Sequence, residues 1–473
     1  MSGEQITGLI MLSVLIGAIF IGVPISFTLL FLALSFGYFG LGATVFDLAY
    51  FQTIGMMKEE LLAAVPLFVL MGFITEQAGL MERLFTAFRL LFSRLRGALY
   101  LVVILTATVF AMATGIVGAA VTVLGIMASP IMNKSGYDQE LSAGAITAGG
   151  TLGILIPPSV MLIVMGPVLG VSVADLYAAA FGPGFMLAGI YLAYLMIRSF
   201  INPSLGPPVP MEERIHSVGT ILKEVVLGVV PLVALISATL GSILAGLATP
   251  TEASAVGAVG AIFLAVAYGR FTIAGFQRAL LSTVATSSMV LLLAVTSNVF
   301  GAVFARLGTA NWITENLLAM QFSPTVMLIM ILILIFVLGW PFEWPAIVLV
   351  FLPIFYPVVK AMNIDLIWFG ALVAVVLQTA FLSPPVAMSA YYLKQVAESW
   401  SLLTIYRGMF QFMILQVIAI AILVAFPPIA TWLPHKLNEA QRSKPMSEKH
   451  LKIIEQQRNQ KSLEDDDFGV QKK

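Results

Sequence analysis

The feature that most constrains this chain is how little charge its first 434 residues carry. Of 24 Lys/Arg and 24 Asp/Glu, nine basic and seven acidic residues fall between His435 and Lys473, which leaves 48 − 16 = 32 for everything before. About a quarter of the residues of an ordinary soluble domain are charged. A chain this poor in charge belongs in hydrocarbon, where each spanning helix takes about 20 apolar residues. Its 473 residues therefore predict about ten to twelve helices. No alternating apolar/polar pattern of the kind a membrane β-barrel needs is present. The predicted fold is an all-α polytopic bundle.

Charge and composition also exclude partners and chemistries. The net charge is zero, which offers nucleic acid no electrostatic footing. Absence of cysteine removes disulfides, thiolate metal sites and cysteine catalysis. The N-terminus has no basic n-region, so the apolar run from Ile6 is expected to be the first membrane element rather than a cleaved leader.

Three polar stretches punctuate the apolar chain. Arg83, Arg89, Arg94 and Arg96 decorate an amphipathic segment expected to lie at the cytoplasmic interface. Residues 201–220 form a long loop between two halves, and 435–473 form a polar, mixed-charge tail, also expected on the cytoplasmic side.

The two halves share a skeleton. Pro130, Asp138, Pro157 and Pro158 recur as Pro357, Asp365, Pro384 and Pro385, each displaced by 227 residues (357 − 130 = 365 − 138 = 384 − 157 = 385 − 158). Gly136 maps onto Asn363, two residue types that tolerate the left-handed turn conformation. Four matches at one offset read as an internal repeat. Asp138 and Asp365 are expected to cap the helices that follow them. Proline has no N–H and clashes with the preceding turn, so Pro-Pro cannot lie inside a continuous helix. Each copy is therefore expected to break there and turn back, giving re-entrant hairpins over 138–170 and 365–396. Broken helices at matching points of two repeats point to a transport site. Carbonyls stripped of donors suit a small hard cation, and half-helix N-termini suit a carboxylate.

These residues resemble the large membrane subunit (DctM type) of tripartite ATP-independent periplasmic transporters over about 1–434. The resemblance rests on VPLFVLMGFITEQAGL (65–80), RLRG (94–97), SGYDQELSAG (135–144), GGTLGILIPPS (149–159), AGLATPTEASAVG (245–257), FEWPAIVLVFLPIFYPV (342–358), IWFGALVAVVLQTAFLSPPV (367–386) and IYRGMFQFMILQ (405–416). It implies an inverted-repeat, elevator-type permease in a bacterial inner membrane. Such a permease takes up a small organic anion, of the C4-dicarboxylate or keto acid type, on an ion gradient, usually sodium, with no other cofactor. It also implies two partner chains, a small four-helix membrane subunit (DctQ type) and a periplasmic binding protein (DctP type).

Mapped on the family layout, residues 1–97 are scaffold and arm helix, and 98–200 and 323–434 are the transport repeats. Residues 201–322 are the central loop and further scaffold, and 435–473 the tail. Substrate is then expected at Pro158, Ser159, Ser383 and Pro384. Sodium is expected near Gly115, Gly149, Gly150, Thr151, Pro157, Glu343, Gln378, Thr379 and Ser383. Asn298 lies mid-membrane, open either to the substrate path or to a helix–helix hydrogen bond. Ser383 stands where Thr is common, Ala387 where Gly is usual, and Val376 where this branch often has Asn, which shifts a sodium site toward backbone carbonyls.

Competing functions lack their marks. A stand-alone sodium–carboxylate symporter calls for Ser-Asn-Thr hairpin tips, which are absent. An intramembrane protease needs HExxH, a Ser/His pair or GxGD, yet His216, His435 and His450 all lie in polar segments. No phosphate-binding GxxxxGK[ST] loop supports an ATP-driven pump.

Overall fold

A computed structural model describes residues 1–208, 218–384 and 387–442. The described elements are helices: α1 (Gly3–Phe20), α2 (Ile25–Leu41), α3 (Thr44–Met57), α4 (Glu60–Gln77), α5 (Leu80–Phe92), α6 (Ala98–Thr114), α7 (Val117–Lys134), α8 (Gln139–Leu155), α9 (Val160–Leu169), α10 (Val173–Ile201), α11 (Gly219–Leu244), α12 (Pro250–Ala267), α13 (Ile273–Arg306), α14 (Thr309–Ala319), α15 (Pro324–Leu338), α16 (Trp344–Ala361), α17 (Leu366–Ala380), α18 (Met388–Val396), α19 (Leu402–Ala425) and α20 (Pro428–Arg442). Among the described residues nine are long and apolar enough to cross a bilayer, or ten if α8 and α9 count as one span.

Local chemistry sets the helix ends. Asp138 Oδ1 accepts from Leu141 N at 2.8 Å, and Asp365 Oδ1 from Ile367 N and Trp368 N at 2.8 and 2.9 Å. Both aspartates are the caps expected of them. Thr249 and Glu252 form a capping box, with Pro250 opening α12. Gly136 and Asn363 both adopt positive φ, 72° and 53°. Thr147 bonds back to Ala143 O at 2.7 Å, whereas Ser142 Oγ has no partner among the described residues.

Hydrogen bonds between distant residues fix the path of the first repeat. Gly97 N donates to Gly206 O at 2.9 Å, Asp138 N to Leu205 O at 3.1 Å, and Leu99 N to Tyr137 OH at 3.2 Å. The start of α6, the end of α7 and the end of α10 therefore share one face, called here face A. Helices α6 and α7 start and finish on it, so they form the re-entrant hairpin, reversing at Gly115. Helices α8 and α9 bend by 45° at Pro157-Pro158 and continue. Helix α10 lies antiparallel along their whole length: Val173 meets Gly166, Tyr177 meets Ser159, Gly184 meets Ile156, and Leu205 meets Asp138. The segment 138–170 is thus a broken span that crosses the membrane. This corrects the expected reversal at its prolines: a break removes helix hydrogen bonds, but the neighbour decides where the chain goes next.

The second repeat inverts the first. The displacement of 227 carries α7 (117–134) onto 344–361, the bounds of α16, and the first residue of α8 (139) onto 366, the first of α17. Trp368 Nε1 donates to Leu423 O at 3.1 Å, joining the start of α17 to the end of α19. Gly370 packs against Leu169, at the far end of α9, on the opposite face B. Trp400 Nε1 donates to Asn133 Oδ1 at 2.7 Å, which sets the α18–α19 junction on face A. Helices α17 and α18 (within 365–396) therefore cross from B to A, where α8 and α9 cross from A to B. The second hairpin is α15–α16, reversing at 339–343. Pro385 of the second proline pair lies outside the described residues.

Without water to expel, close approach holds such helices together. At the α8–α19 crossing a Cβ on Gly408 would collide with the Glu140 carbonyl, and the fully buried Phe412 fills the notch left by Gly144.

The same geometry separates two segments expected on one side. Arg94 and Arg96 precede Gly97 on face A, but Asn438 Nδ2 donates to Asp175 Oδ1 at 3.0 Å, at the face-B start of α10. The arginine-rich arm and the start of the tail lie on opposite faces, because an odd number of crossings separates them. Residues 443–473 lie outside the described residues.

Candidate functional site

Each proline break meets the tip of its own repeat's hairpin. Gly115, with φ of 61°, turns α6 into α7, and a Cβ there would lie 3.2 Å from Pro158 O and 3.8 Å from Gly153 O. Pro157 and Pro158 supply no N–H, so the carbonyls of Gly153 and Ile154 lose their helical donors. In the second repeat Gly339 lies against Ala380, where a Cβ on Gly339 would lie 3.1 Å from the Ala380 Cβ, beside the break after α17.

The two breaks differ in what remains unpaired. At the first, Ser159 Oγ donates to Ile154 O, Ser159 O accepts from Tyr177 OH at 3.4 Å, and Thr151 Oγ1 donates to Ala148 O at 2.9 Å. Gly149 and Gly150 are seats for the hairpin arms, facing Ala107 of α6 and Val121 of α7. At the second, Thr379 Oγ1 is taken up by Val376 O at 2.7 Å, but three buried oxygens have no partner among the described residues: Gln378 Oε1, Ser383 Oγ and Ser389 Oγ. Gln378 Nε2 is anchored on Ala374 O at 3.2 Å, which leaves its carbonyl oxygen as the free end. A buried polar atom left unpaired costs about 1–3 kcal/mol, and a cation could relieve that cost. Ser389 was missed in the sequence, where it reads as one more small residue after the prolines.

Glu343 occupies the N-cap position of α16 at the second tip, with no side-chain capping bond. It lines a cavity of about 300 Å³ with Ser26 and Phe27 of α2 and Met289, Leu292 and Leu293 of α13. Asn298 lies five residues beyond Leu293 on α13, and its buried Oδ1 has no hydrogen-bond partner among the described residues. Pro384 lines a different cavity of about 440 Å³, with Glu140, Tyr406, Arg407, Phe410 and Gln411.

The family model for the tripartite ATP-independent periplasmic transporter, DctM component, matches residues 12–429. The chain belongs to that family. It is 31% identical over 424 residues to the sialic acid TRAP transporter large permease protein SiaM of Vibrio cholerae, covering 89% of this chain and 96% of that one. It is 29% identical to the C4-dicarboxylate TRAP transporter large permease protein DctM of Rhodobacter capsulatus, covering 81% and 89%. It is 28% identical to the 2,3-diketo-L-gulonate large permease protein YiaN of Escherichia coli, covering 90% and 99%. The crystal structure of the YdaH transporter of Alcanivorax borkumensis shares the fold at a TM-score of 0.56 and 15% identity, covering 83% of this chain and 89% of that one. This DctM-family chain is therefore a multi-pass large permease subunit of an organic-acid transporter, not an enzyme.

Proposed function

We propose that this permease subunit carries a small organic acid inward by sodium-coupled, elevator-type alternating access. A periplasmic binding protein delivers the acid, and a small membrane subunit completes the assembly. The observation that carries this reading is the set of unpaired buried oxygens of Gln378, Ser383 and Ser389 at the second proline break. These are hard neutral oxygens, suited to an alkali cation once backbone carbonyls join them. The hairpins and broken spans (α6–α10, α15–α19) move together, while α1–α4 and α11–α13 stay fixed.

Face A is read as cytoplasmic. It carries Arg94, Arg96, Lys134, Arg198, Lys394 and Arg407, the cationic excess that marks that side of a bacterial inner membrane. The relatives' names point to sialic acid, C4-dicarboxylates and keto-sugar acids as first substrates to try.

The test is uptake into proteoliposomes holding this chain and its small partner, with and without binding protein, under a sodium or a proton gradient. Uptake that needs both sodium and binding protein is expected. Uptake by this chain alone removes the tripartite reading, and proton-driven uptake removes sodium and turns attention to Glu343.

A further inference from the structure

The cavity beneath Arg407 is built differently from either proline break. It reaches from exposed side chains on face A to Pro384 at the second break. At its mouth Arg407 Nη1 lies 3.5 Å from Glu140 Oε1, with the two side chains 63% and 36% exposed. An ion pair this open to water is weak and readily exchanged.

Deeper in, a relay of hydrogen bonds orients a second donor. Arg198 Nη1 donates to Tyr194 OH at 2.8 Å and stacks over the Tyr194 ring at 5.6 Å. With its lone pair so engaged, Tyr194 OH donates to Gln411 Oε1 at 2.6 Å. The amide oxygen of Gln411 is thereby taken, and its NH₂ group is what remains for a ligand in the cavity it lines. Arg407 and Gln411 thus border one space whose fixed acceptor, Glu140, is already paired with Arg407. A fork of guanidinium donors next to an amide donor is the chemistry that holds a carboxylate.

We infer that this cavity is a carboxylate-binding vestibule on face A, in which the transported acid displaces Glu140 from Arg407 on its way between the second break and the aqueous phase. Gln411 keeps an N–H aimed at the second carboxylate oxygen, and Tyr194 and Arg198 are the positioning residues that hold it. The inference rests on the organic-anion reading of the permease. It adds a subsite separate from the proline breaks, and it gives Glu140 the part of a competing anion.

Opposite responses of the two partners test it. The complete permease would be reconstituted with its small partner, with sodium and the binding protein present, and KM measured for efflux of radiolabelled succinate, pyruvate and sialic acid. Arg407→Gln should raise KM about tenfold, the effect of one lost charge-assisted hydrogen bond, with KM rising more than turnover falls. Arg407→Lys should recover part of the affinity, and Gln411→Leu should shift KM in the same sense as Arg407→Gln. Glu140→Gln should lower KM, because the competitor has lost its charge. If Arg407→Gln and Glu140→Gln move KM in the same direction, or neither moves it, the pair is only a structural tie and the vestibule is overturned. If the unmodified permease carries none of the three acids, the organic-anion reading itself falls and takes the vestibule with it.

Discussion

Gly115 and Pro158 form a single contact surface: the left-handed turn at Gly115 sets its Cα so close to the Pro158 carbonyl that a Cβ would lie 3.2 Å from that oxygen. The reversal of one hairpin and the break of the neighbouring span are thus the same place in the molecule. Any side chain there meets both a steric limit and a backbone one, since the left-handed region costs a non-glycine residue about 1–2 kcal/mol. Gly115→Ala should reduce transport and Gly115→Val should abolish it, while size-exclusion profiles of both variants stay close to that of the unmodified permease. Full uptake by the valine variant would show that the tip takes no part in transport.

The unequal satisfaction of the two breaks gives a sharper expectation. Gln378→Leu, Ser383→Ala and Ser389→Ala each remove one unpaired oxygen and should raise the sodium concentration for half-maximal uptake, by about tenfold if one ligand is worth 1.4 kcal/mol. Thr151→Val and Thr379→Val remove hydroxyls already bonded to their own helices and should leave that concentration unchanged. A sodium titration of uptake separates the two groups, and equal effects of both groups would refute the role of the unpaired oxygens.

Packing at the α8–α19 crossing should appear in stability rather than in ion dependence. Phe412 is fully buried in the notch at Gly144, and Phe412→Ala should cost about 3–5 kcal/mol. Gly408→Val should prevent the crossing altogether, because even a Cβ collides with the Glu140 carbonyl. Thermal unfolding of the detergent-solubilised protein would register both, with Gly408→Ala less damaging than Gly408→Val.

Ala387 sits at φ of 29°, in the region that favours glycine. Ala387→Gly should relieve strain of about 1 kcal/mol and raise the melting temperature. A lower melting temperature would mean that the entropy of the unfolded glycine chain outweighs that relief.

Much of the architecture was legible because it rests on local rules. Scarcity of charge placed the chain in the bilayer. The four matched residues at one offset carried the repeat, and the helix bounds of both halves now follow that offset. Asp138 and Asp365 were recognisable as caps, since a cap is a bond between residues two or three apart.

What happens after each proline pair was not legible. Pro157-Pro158 can be seen to interrupt a helix, but a 45° bend and a full reversal look alike in sequence, and only packing along α10 chose the bend. Gly115, expected only as a residue near sodium, is the hairpin turn, because the direction of α7 depends on Leu99 meeting Tyr137 across 38 residues. The unpaired oxygens of Gln378, Ser383 and Ser389, and the convergence of Glu140, Arg198 and Arg407, are likewise products of distance in space. Composition and spacing act through neighbours along the chain and so determined the membrane, the repeat and the breaks. The course of the chain through the bilayer and the grouping of polar atoms came from contacts between residues far apart in sequence, which exist only once the helices have packed.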